Sequence, residues 1–143
     1  MSVELPFAPV DGVIRRNAGG LRVSSGAARE LAERIQREGA RLAADAAEVA
    51  TADGRKTIQA GDFGGDPVPD ADALELPIAP VDRIARLDID DRYRVGMEAR
   101  VALAHQLEAF ADEAAAGAAR LARHAGRRTV QAEDVEAYFD LVG

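Results

Sequence analysis

Two short polar motifs in this chain each combine a cation with a neighbouring hydroxyl group. They are Lys56-Thr57 and Arg128-Thr129, and each follows a Gly-Arg turn and precedes a β-branched residue. A cation and a hydroxyl on an extended loop, with backbone N–H groups nearby, are the donors that phosphate oxygens accept from. An exposed cation without a ligand is the alternative interpretation of either motif alone. Because the motif recurs, we predict that both copies contact phosphate groups.

An arginine and an aspartate recur seven residues apart beside each of these motifs. The pairs are Arg55 with Asp62 and Arg127 with Asp134. A guanidinium group can hold a carboxylate through two parallel hydrogen bonds, and a carboxylate at a helix N-terminus is also favoured by the helix dipole. We interpret each pair as a structural clamp that holds its loop, and not as a direct contact with a ligand.

The motifs recur because the chain contains two copies of one unit. Residues 54–63 and 126–135 share six identities in ten at an offset of 72, and residues 4–10 and 75–81 share six in seven at an offset of 71. The difference between the offsets indicates a duplication with one residue inserted before Arg94. A unit of about 70 residues buries too little surface to be stable alone, so the two copies are expected to share one core.

The composition argues against several kinds of site. The chain has no cysteine, and its two histidines, His105 and His124, are too few to predict a metal site. It shows no apolar run long enough to span a membrane and no signal peptide. It also shows no nucleophile with a matching base and no glycine-rich phosphate loop. We therefore expect no enzymatic activity, no cofactor, no small-molecule substrate and no membrane association.

The charge balance is unusual, with 25 acidic residues against 17 arginines and one lysine, and a net charge of −7. At face value this balance argues against a nucleic acid and for an acidic protein that binds other proteins. Abundant Asp and Glu with almost no Lys are also typical of proteins from extreme halophiles. In molar salt the Debye length is only ~3 Å, so an acidic surface no longer decides the partner.

Each copy has the pattern of a short helix, a loop, a long helix, a second loop and a final helix. Pro9 and Pro80 stand where a proline opens a helix, and Ser24 and Gly96 stand at the N-cap of the long helix. The predicted short helices span residues 10–16 and 81–87, and the predicted long helices span residues 24–52 and 96–124. The spacing of apolar residues gives each long helix one apolar face, which the twin helix is expected to cover. Its expected members are Leu31, Ile35, Leu42, Ala46 and Val49 in one helix, and Leu103, Leu107, Ala114, Ala118 and Leu121 in the other.

The final helix differs between the two copies. In the second copy the pattern predicts a helix over residues 132–141, with Val135, Phe139 and Val142 on one face. In the first copy Gly61 and the glycines and proline that follow it shorten this helix to about one turn. The predicted organisation is a first unit over residues 1–63, a linker over residues 64–74 and a second unit over residues 75–143.

This order of elements, written twice, resembles the histone fold. The motifs ELPIAPV and RLARHAGRRTVQAEDV, with an Arg-Val pair before the long helix, are similar to archaeal histones, and an acidic tandem is similar to the histone doublets of halophilic archaea. The resemblance implies an all-α fold in which two tandem histone folds pair as an intramolecular handshake. It also implies that each Thr-containing loop lies beside the Arg-Val loop of the other copy, on an edge that binds DNA.

The resemblance also assigns roles to individual side chains. Arg22 and Arg94 match the arginines that enter the minor groove of DNA, a device that histone octamers use without reading bases. Three further arginines extend this basic edge along the short helices: Arg15, Arg83 and Arg86.

One end of the chain also matches a family contact between neighbouring dimers. In the second copy Leu121, His124 and Asp134 correspond to the residues of that four-helix contact. From its position alone, His124 in the last turn of a helix could instead serve the helix dipole or packing. In the first copy Val49 and Ala52 replace the leucine and the histidine, so only the second copy is expected to self-associate.

The sequence therefore predicts a non-enzymatic histone doublet that binds double-stranded DNA without sequence preference and organises chromatin or modulates transcription. It is expected in the cytoplasm, associated with the nucleoid. The alternative is a histone-fold module that acts through protein partners in a transcription complex. Arginines on the DNA edge of both copies favour DNA.

Overall fold

The computed structural model describes residues 2–65 and 70–143 and shows the predicted order of elements. The helices are α1 (Phe7–Asn17), α2 (Ser25–Ala52), α3 (Ile78–Ala85), α4 (Met97–His124) and α5 (Ala132–Val142). The short strands are β1 (Arg22–Val23), β2 (Thr57–Ile58), β3 (Arg94–Val95) and β4 (Thr129–Val130), and 3-10 turns span Ala60–Phe63 and Ala71–Ala73. Residues 66–69 of the predicted linker lie outside the described residues.

Both short helices begin earlier than the sequence predicted. Helix α1 starts at Phe7 and α3 at Ile78, so each proline is the third helical residue and Pro6 or Pro77 is the N-cap. The first N–H groups of a helix have no acceptor within the helix, so a proline at this position removes no hydrogen bond. Helix α3 also ends at Ala85, and the predicted final residue Leu87 is 45% exposed.

The two long helices have the predicted bounds and bury most of the predicted apolar face. The Ser24 hydroxyl accepts a hydrogen bond from the Ala27 N–H at 3.0 Å, which confirms it as the N-cap of α2. The prediction was wrong at Val49, which is 48% exposed, and Leu42 and Leu121 are only half-buried. Val49 is exposed because it faces away from the core, whereas Ala46 and Ala50 on the other side of the same part of α2 are fully buried.

The core is a single apolar cluster built from both copies. Helix α2 packs on α3 and α4, and Gly39 marks the closest approach: a Cβ atom there would lie 2.6 Å from Ile84 Cγ2 and 3.0 Å from Leu107 Cδ1. Ile84 and Leu107 belong to the second copy and are fully buried. Because each long helix covers the apolar face of the other, neither copy has a core of its own.

A buried polar residue ties down the chain before each short helix. In the second copy Glu108 is 7% exposed and accepts the backbone N–H groups of Glu75 (2.7 Å) and Leu76 (2.9 Å) and a hydrogen bond from Arg16 Nη2 (2.9 Å). In the first copy the equivalent residue is Gln36, which accepts the Glu4 N–H at 2.8 Å. These contacts position the short helices against the core.

The final elements are unequal, as predicted. In α5 Val135 is buried, and the Phe139 ring lies 5.4 Å from that of Phe110 and beneath the Arg34 guanidinium. Val142, predicted on the same face, is 62% exposed because the helix projects beyond its neighbours.

The short 3-10 turn of the first copy meets a surface that is unsuited to a longer helix. Two residues that contact Phe139 of α5 have polar equivalents around this turn: Glu38 corresponds to Phe110, and Gln106 corresponds to Arg34. The Gln106 Nε2 donates to the Phe63 carbonyl at 3.1 Å. Polar residues therefore replace the apolar contact that an aromatic-bearing helix would need.

The acidic surface predicts an unusual salt dependence of stability. Many ion pairs, such as Arg41 with Glu38 and Asp45, are exposed and stabilise the fold little. Lowering the ionic strength from molar to ~0.05 M lengthens the Debye length and strengthens self-repulsion in a chain of net charge −7. We expect the melting temperature, followed by circular dichroism, to fall. A melting temperature that is flat or higher at low salt would contradict the halophilic interpretation.

Candidate nucleic-acid interface

The four loops meet in two pairs, each made from both copies. Strand β1 pairs in parallel with β4, which sets Arg22 opposite Thr129, and β2 pairs in parallel with β3, which sets Thr57 opposite Arg94. The Arg22 N–H donates to the Arg128 carbonyl and the Arg94 N–H to the Lys56 carbonyl, both at 2.9 Å. We call these two regions the β1–β4 end and the β2–β3 end.

Each end presents two cations that are free to meet an anion. The four side chains are Arg22 and Arg128 at the β1–β4 end, and Lys56 and Arg94 at the β2–β3 end. All four residues are exposed, and within the described part of the chain none of them forms an ion pair. A phosphate could therefore bind them without breaking an internal ion pair. The hydroxyl groups of Thr57 and Thr129 are half-buried beside them.

The two Arg–Asp pairs lie directly behind these loops. Arg55 holds both carboxylate oxygens of Asp62, at 2.7 and 2.9 Å, and also donates to the Thr57 carbonyl at 2.9 Å. The second Asp62 oxygen accepts the Gln59 N–H at 2.8 Å. The Arg55 guanidinium, with help from the Gln59 N–H, holds the pKa of Asp62 below its usual value.

The second copy repeats the Arg–Asp pairing with fewer hydrogen bonds. Arg127 contacts Asp134, whose other oxygen accepts the Gln131 N–H at 2.8 Å. Both arginines thus join the turn after a long helix to the first turn of the next element, so their guanidinium groups are occupied inside the protein.

The arginines of the short helices are placed differently from the loop cations. Arg15 pairs with Asp11 at 2.6 Å, Arg86 with Asp82 at 3.1 Å and Arg83 with Glu4 at 3.1 Å. These side chains remain 41 to 56% exposed, but a phosphate would have to compete with a carboxylate for each of them. They can extend a basic edge more weakly than the loops.

The three residues matched to a contact between dimers do not form one exposed cluster. His124 is exposed and Leu121 is half-buried, whereas Asp134 is only 2% exposed. Both Asp134 oxygens already accept hydrogen bonds, from Arg127 and Gln131.

Three residues at the β2–β3 end were missed by sequence reasoning. The Tyr93 hydroxyl hydrogen-bonds to the Thr51 hydroxyl, and the Arg92 guanidinium lies 5.3 Å from the centre of the Tyr93 ring. The hydrogen bond with Thr51 and, to a smaller extent, the contact with Arg92 lower the pKa of Tyr93 below its usual value. These side chains line a shallow pocket of 250 Å³ with Lys56 and Gly54. The sequence offered one signal for this group, because Tyr93 is an aromatic residue in a chain with only 4% aromatic residues.

Other kinds of site are not found in the part of the chain that the structure describes. Across residues 2–65 and 70–143, no three His, Asp or Glu side chains are grouped so that they could hold a metal ion. In the same ranges, no helix combines the length and the apolar character that crossing a membrane requires.

Comparison with known proteins agrees with this geometry. The family model for histone-like transcription factors (CBF/NF-Y) and archaeal histones matches residues 3–63 and again residues 74–137. An archaeal histone HAN1 subunit of Thermococcus zilligii is 52% identical over 61 residues, which cover 43% of this chain and 88% of that protein.

Two crystal structures share the whole architecture. The histone from Methanopyrus kandleri superposes with a TM-score of 0.66 at 24% identity and covers 94% of this chain and 92% of its own. A protein from Thermus thermophilus superposes with a TM-score of 0.71 at 19% identity and covers 98% of this chain and 99% of its own.

The fold and the paired loops thus define a tandem histone-fold protein whose two copies form an intramolecular handshake. With both copies matched by one family model, the chain belongs to the family of histone-like transcription factors (CBF/NF-Y) and archaeal histones. The predicted family and fold class are confirmed.

Proposed function

We propose that this protein binds double-stranded DNA without sequence preference and bends or wraps it on the chromosome. The observation that carries the proposal is the pairing of loops between copies, which places a free cation, a hydroxyl and a free arginine together at each end. Phosphate oxygens accept hydrogen bonds from such groups, and contacts of this kind carry no sequence information.

Each loop residue has a role in this proposal. Lys56-Thr57 and Arg128-Thr129 bind phosphates, while Arg22 and Arg94, directly opposite the threonines, enter the adjacent minor groove. The clamps of Arg55 with Asp62 and Arg127 with Asp134 keep the loops extended. Arg15, Arg83 and Arg86 add contacts along the path between the ends.

The organisation of the chain supports this division of roles. We propose that residues 1–63 and 75–143 act as the two halves of one DNA-binding unit and that residues 64–74 join them. Because the halves share one core, a single chain presents both ends at a fixed spacing.

Binding to random-sequence duplex DNA from low to molar salt tests the proposal. We expect log K to fall linearly with log salt concentration, with a slope of about −0.9 for each phosphate contact, and to be the same for unrelated sequences. An acidic control protein of similar net charge should not bind. Absence of DNA binding at every salt concentration would favour the alternative, a module that acts through protein partners.

Self-association is expected only through the second copy, and this gives a further prediction. We propose that two DNA-bound molecules join through Leu121, His124 and the start of α5. His124 of one molecule donates to Asp134 of the other, and because Asp134 is only 2% exposed in the single chain, this bond requires the side chains around it to move. The first copy has exposed Val49 and Ala52 at the equivalent positions, so the assembly stops at two. Nuclease protection should therefore give one discrete size, and His124→Ala should halve it.

The matched control is His105→Ala, because His105 is exposed on the same helix away from this end. It should leave the protected length unchanged. A long regular ladder from the wild-type protein, or equal effects of the two variants, would count against assembly through the second copy.

A further inference from the structure

The two ends of the pseudo-dimer differ sharply in charge. We propose that they bind DNA unequally, with the β1–β4 end as the anchor and the β2–β3 end as the one that releases first when salt rises. This inference rests on the proposed DNA binding and concerns how the two ends share it.

The β1–β4 end carries only positive charge in its loop segments, and the next carboxylates along the chain, Glu133 and Asp134, lie in the first turn of α5. This end is built from residues 18–24 and 120–131, which contain five arginines and not one carboxylate. They are Arg22, Arg120, Arg123, Arg127 and Arg128. Arg127 is occupied by Asp134 from outside these segments. Arg123 donates to the Ala18 carbonyl at 2.6 Å, so it is positioned by a neutral acceptor and keeps its full charge.

The β2–β3 end carries almost as many cations but is covered with carboxylates. Its matching segments, residues 48–59 and 90–96, contain four cations and four acidic residues. The cations are Arg55, Lys56, Arg92 and Arg94, and the acidic residues are Glu48, Asp53, Asp90 and Asp91.

Contacts within the β2–β3 end reduce its free positive charge further. Arg55 is shared between Asp53 at 3.0 Å and Asp62 at 2.7 Å. The Asp90 carboxylate accepts the Arg92 N–H at 2.9 Å, which keeps a negative charge beside that arginine. By contrast, Arg120 at the other end is exposed and forms no ion pair within the described residues.

This difference matters because DNA is a dense line of negative charge. Bound phosphates at the β2–β3 end meet Asp90 and Asp91 as well as the cations, and like charges repel over about 8 Å at physiological ionic strength. The equivalent turn of the first copy contains Gly19 and Gly20 and no carboxylate. The hydroxyl groups of Tyr93 and Thr51 supply neutral hydrogen bonds at the β2–β3 end, but they do not replace the missing charge.

Two equivalent glycines allow each end to be observed separately. Gly54 and Gly126 occupy the same turn in the two copies, with φ of 73° and 74°, and nothing lies within 4 Å of the position of an added Cβ. Their backbone amide resonances report on the β2–β3 end and the β1–β4 end, respectively. The full-length protein, bound to a random-sequence duplex longer than the protein, is followed by ¹⁵N NMR while salt is added.

We expect the Gly54 resonance to return to its free position at about a threefold lower salt concentration than the Gly126 resonance. Asp90→Asn with Asp91→Asn should bring the two midpoints together, because it removes repulsion only at the β2–β3 end. Arg120→Gln should lower the Gly126 midpoint. Glu113→Gln, an exposed acidic position about 16 Å along α4 from the end of the helix, should move neither.

The outcomes separate this inference from the proposed function. Equal midpoints in the wild-type protein, or Gly54 returning last, would overturn the inference while leaving DNA binding intact. If neither resonance moves when DNA is added, DNA binding itself fails and the inference fails with it. The substituted residues are exposed, and thermal melting of each variant checks that the fold is retained.

Discussion

Replacing Arg22, Lys56, Arg94 and Arg128 by alanine together is expected to lower the affinity for random duplex DNA by about a thousandfold at low salt. Each of these exposed cations lacks a carboxylate partner in the described structure, so its full positive charge is available to attract a phosphate. A loss of about 1 kcal/mol for each contact gives this factor. The slope of log K against log salt should also become shallower by about 3.6, since each lost contact contributes about 0.9.

The fold should survive the quadruple substitution, because these side chains support no buried contact. The control is a double substitution at Arg37 and Arg41, which are exposed in the middle of α2 away from the loops. It removes half as much charge and should change the slope by much less than one unit. Unchanged affinity in the quadruple variant would refute the proposed contacts and favour a protein partner.

Single substitutions should distinguish the two kinds of contact. Lys56→Ala and Arg128→Ala should weaken binding to all sequences alike. Arg22→Ala and Arg94→Ala should also reduce any preference for A·T tracts, because a narrow minor groove attracts an inserted arginine.

The order of the helices and loops and their duplication could be predicted from the sequence, because they depend on local periodicity and on comparison of the two copies. The loop contacts could be expected only through the resemblance, since Arg22 and Thr129 are far apart in the chain and periodicity does not bring them together. Two ion-pair partners of the short-helix arginines could have been predicted from the sequence: Asp11 lies four residues before Arg15, and Asp82 lies four before Arg86. This spacing predicts ion pairs on a helix.

Other contacts could not be predicted from local sequence, because they join the two copies. The pairing of Arg83 with Glu4 and of Tyr93 with Thr51 depends on the handshake. The starts of α1 and α3 were misplaced for a different reason. A proline is tolerated throughout the first turn of a helix, so Pro9 indicates a nearby helix start without specifying which residue begins it.

Glu108 of the second copy binds Arg16 of the first copy, and this contact was not predicted from the sequence. A carboxylate within the apolar stretch of α4 is explained by three donors: the Glu75 and Leu76 N–H groups and Arg16. Arg16 also binds both oxygens of Asp112, at 2.8 and 2.9 Å. Although burial opposes its ionisation, the hydrogen bonds from Arg16 and Asn17 lower the pKa of Asp112.

The lowered pKa values of Asp62 and Asp112 predict how the stability of the fold depends on pH. A carboxyl group whose pKa is lower in the folded protein contributes stability above its unfolded pKa of about 3.9, and this contribution is lost as the pH falls through the folded value. Asp62 and Asp112 both belong to this class. Stability should therefore fall in the acid range below about pH 4, and the clamp of Arg55 with Asp62 should weaken with it.

Glu108→Ala is expected to be strongly destabilising, costing about 3 kcal/mol of the free energy of unfolding, because two backbone N–H groups lose their acceptor. It leaves the N–H groups of Glu75 and Leu76 without their acceptor and removes one of the two carboxylates that Arg16 binds. Glu108→Gln should cost only about 1 kcal/mol, because its amide oxygen can still accept from the backbone. Gln36→Ala, at the equivalent position of the first copy, should fall between them, since Gln36 accepts one backbone N–H, donates to the Ser2 carbonyl and binds no charge. Urea unfolding followed by circular dichroism measures all three, with the exposed Glu113→Ala as a control expected to cost less than about 0.5 kcal/mol. If Glu108→Ala costs no more than this control, the contact between the copies at Arg16 does not stabilise the pseudo-dimer.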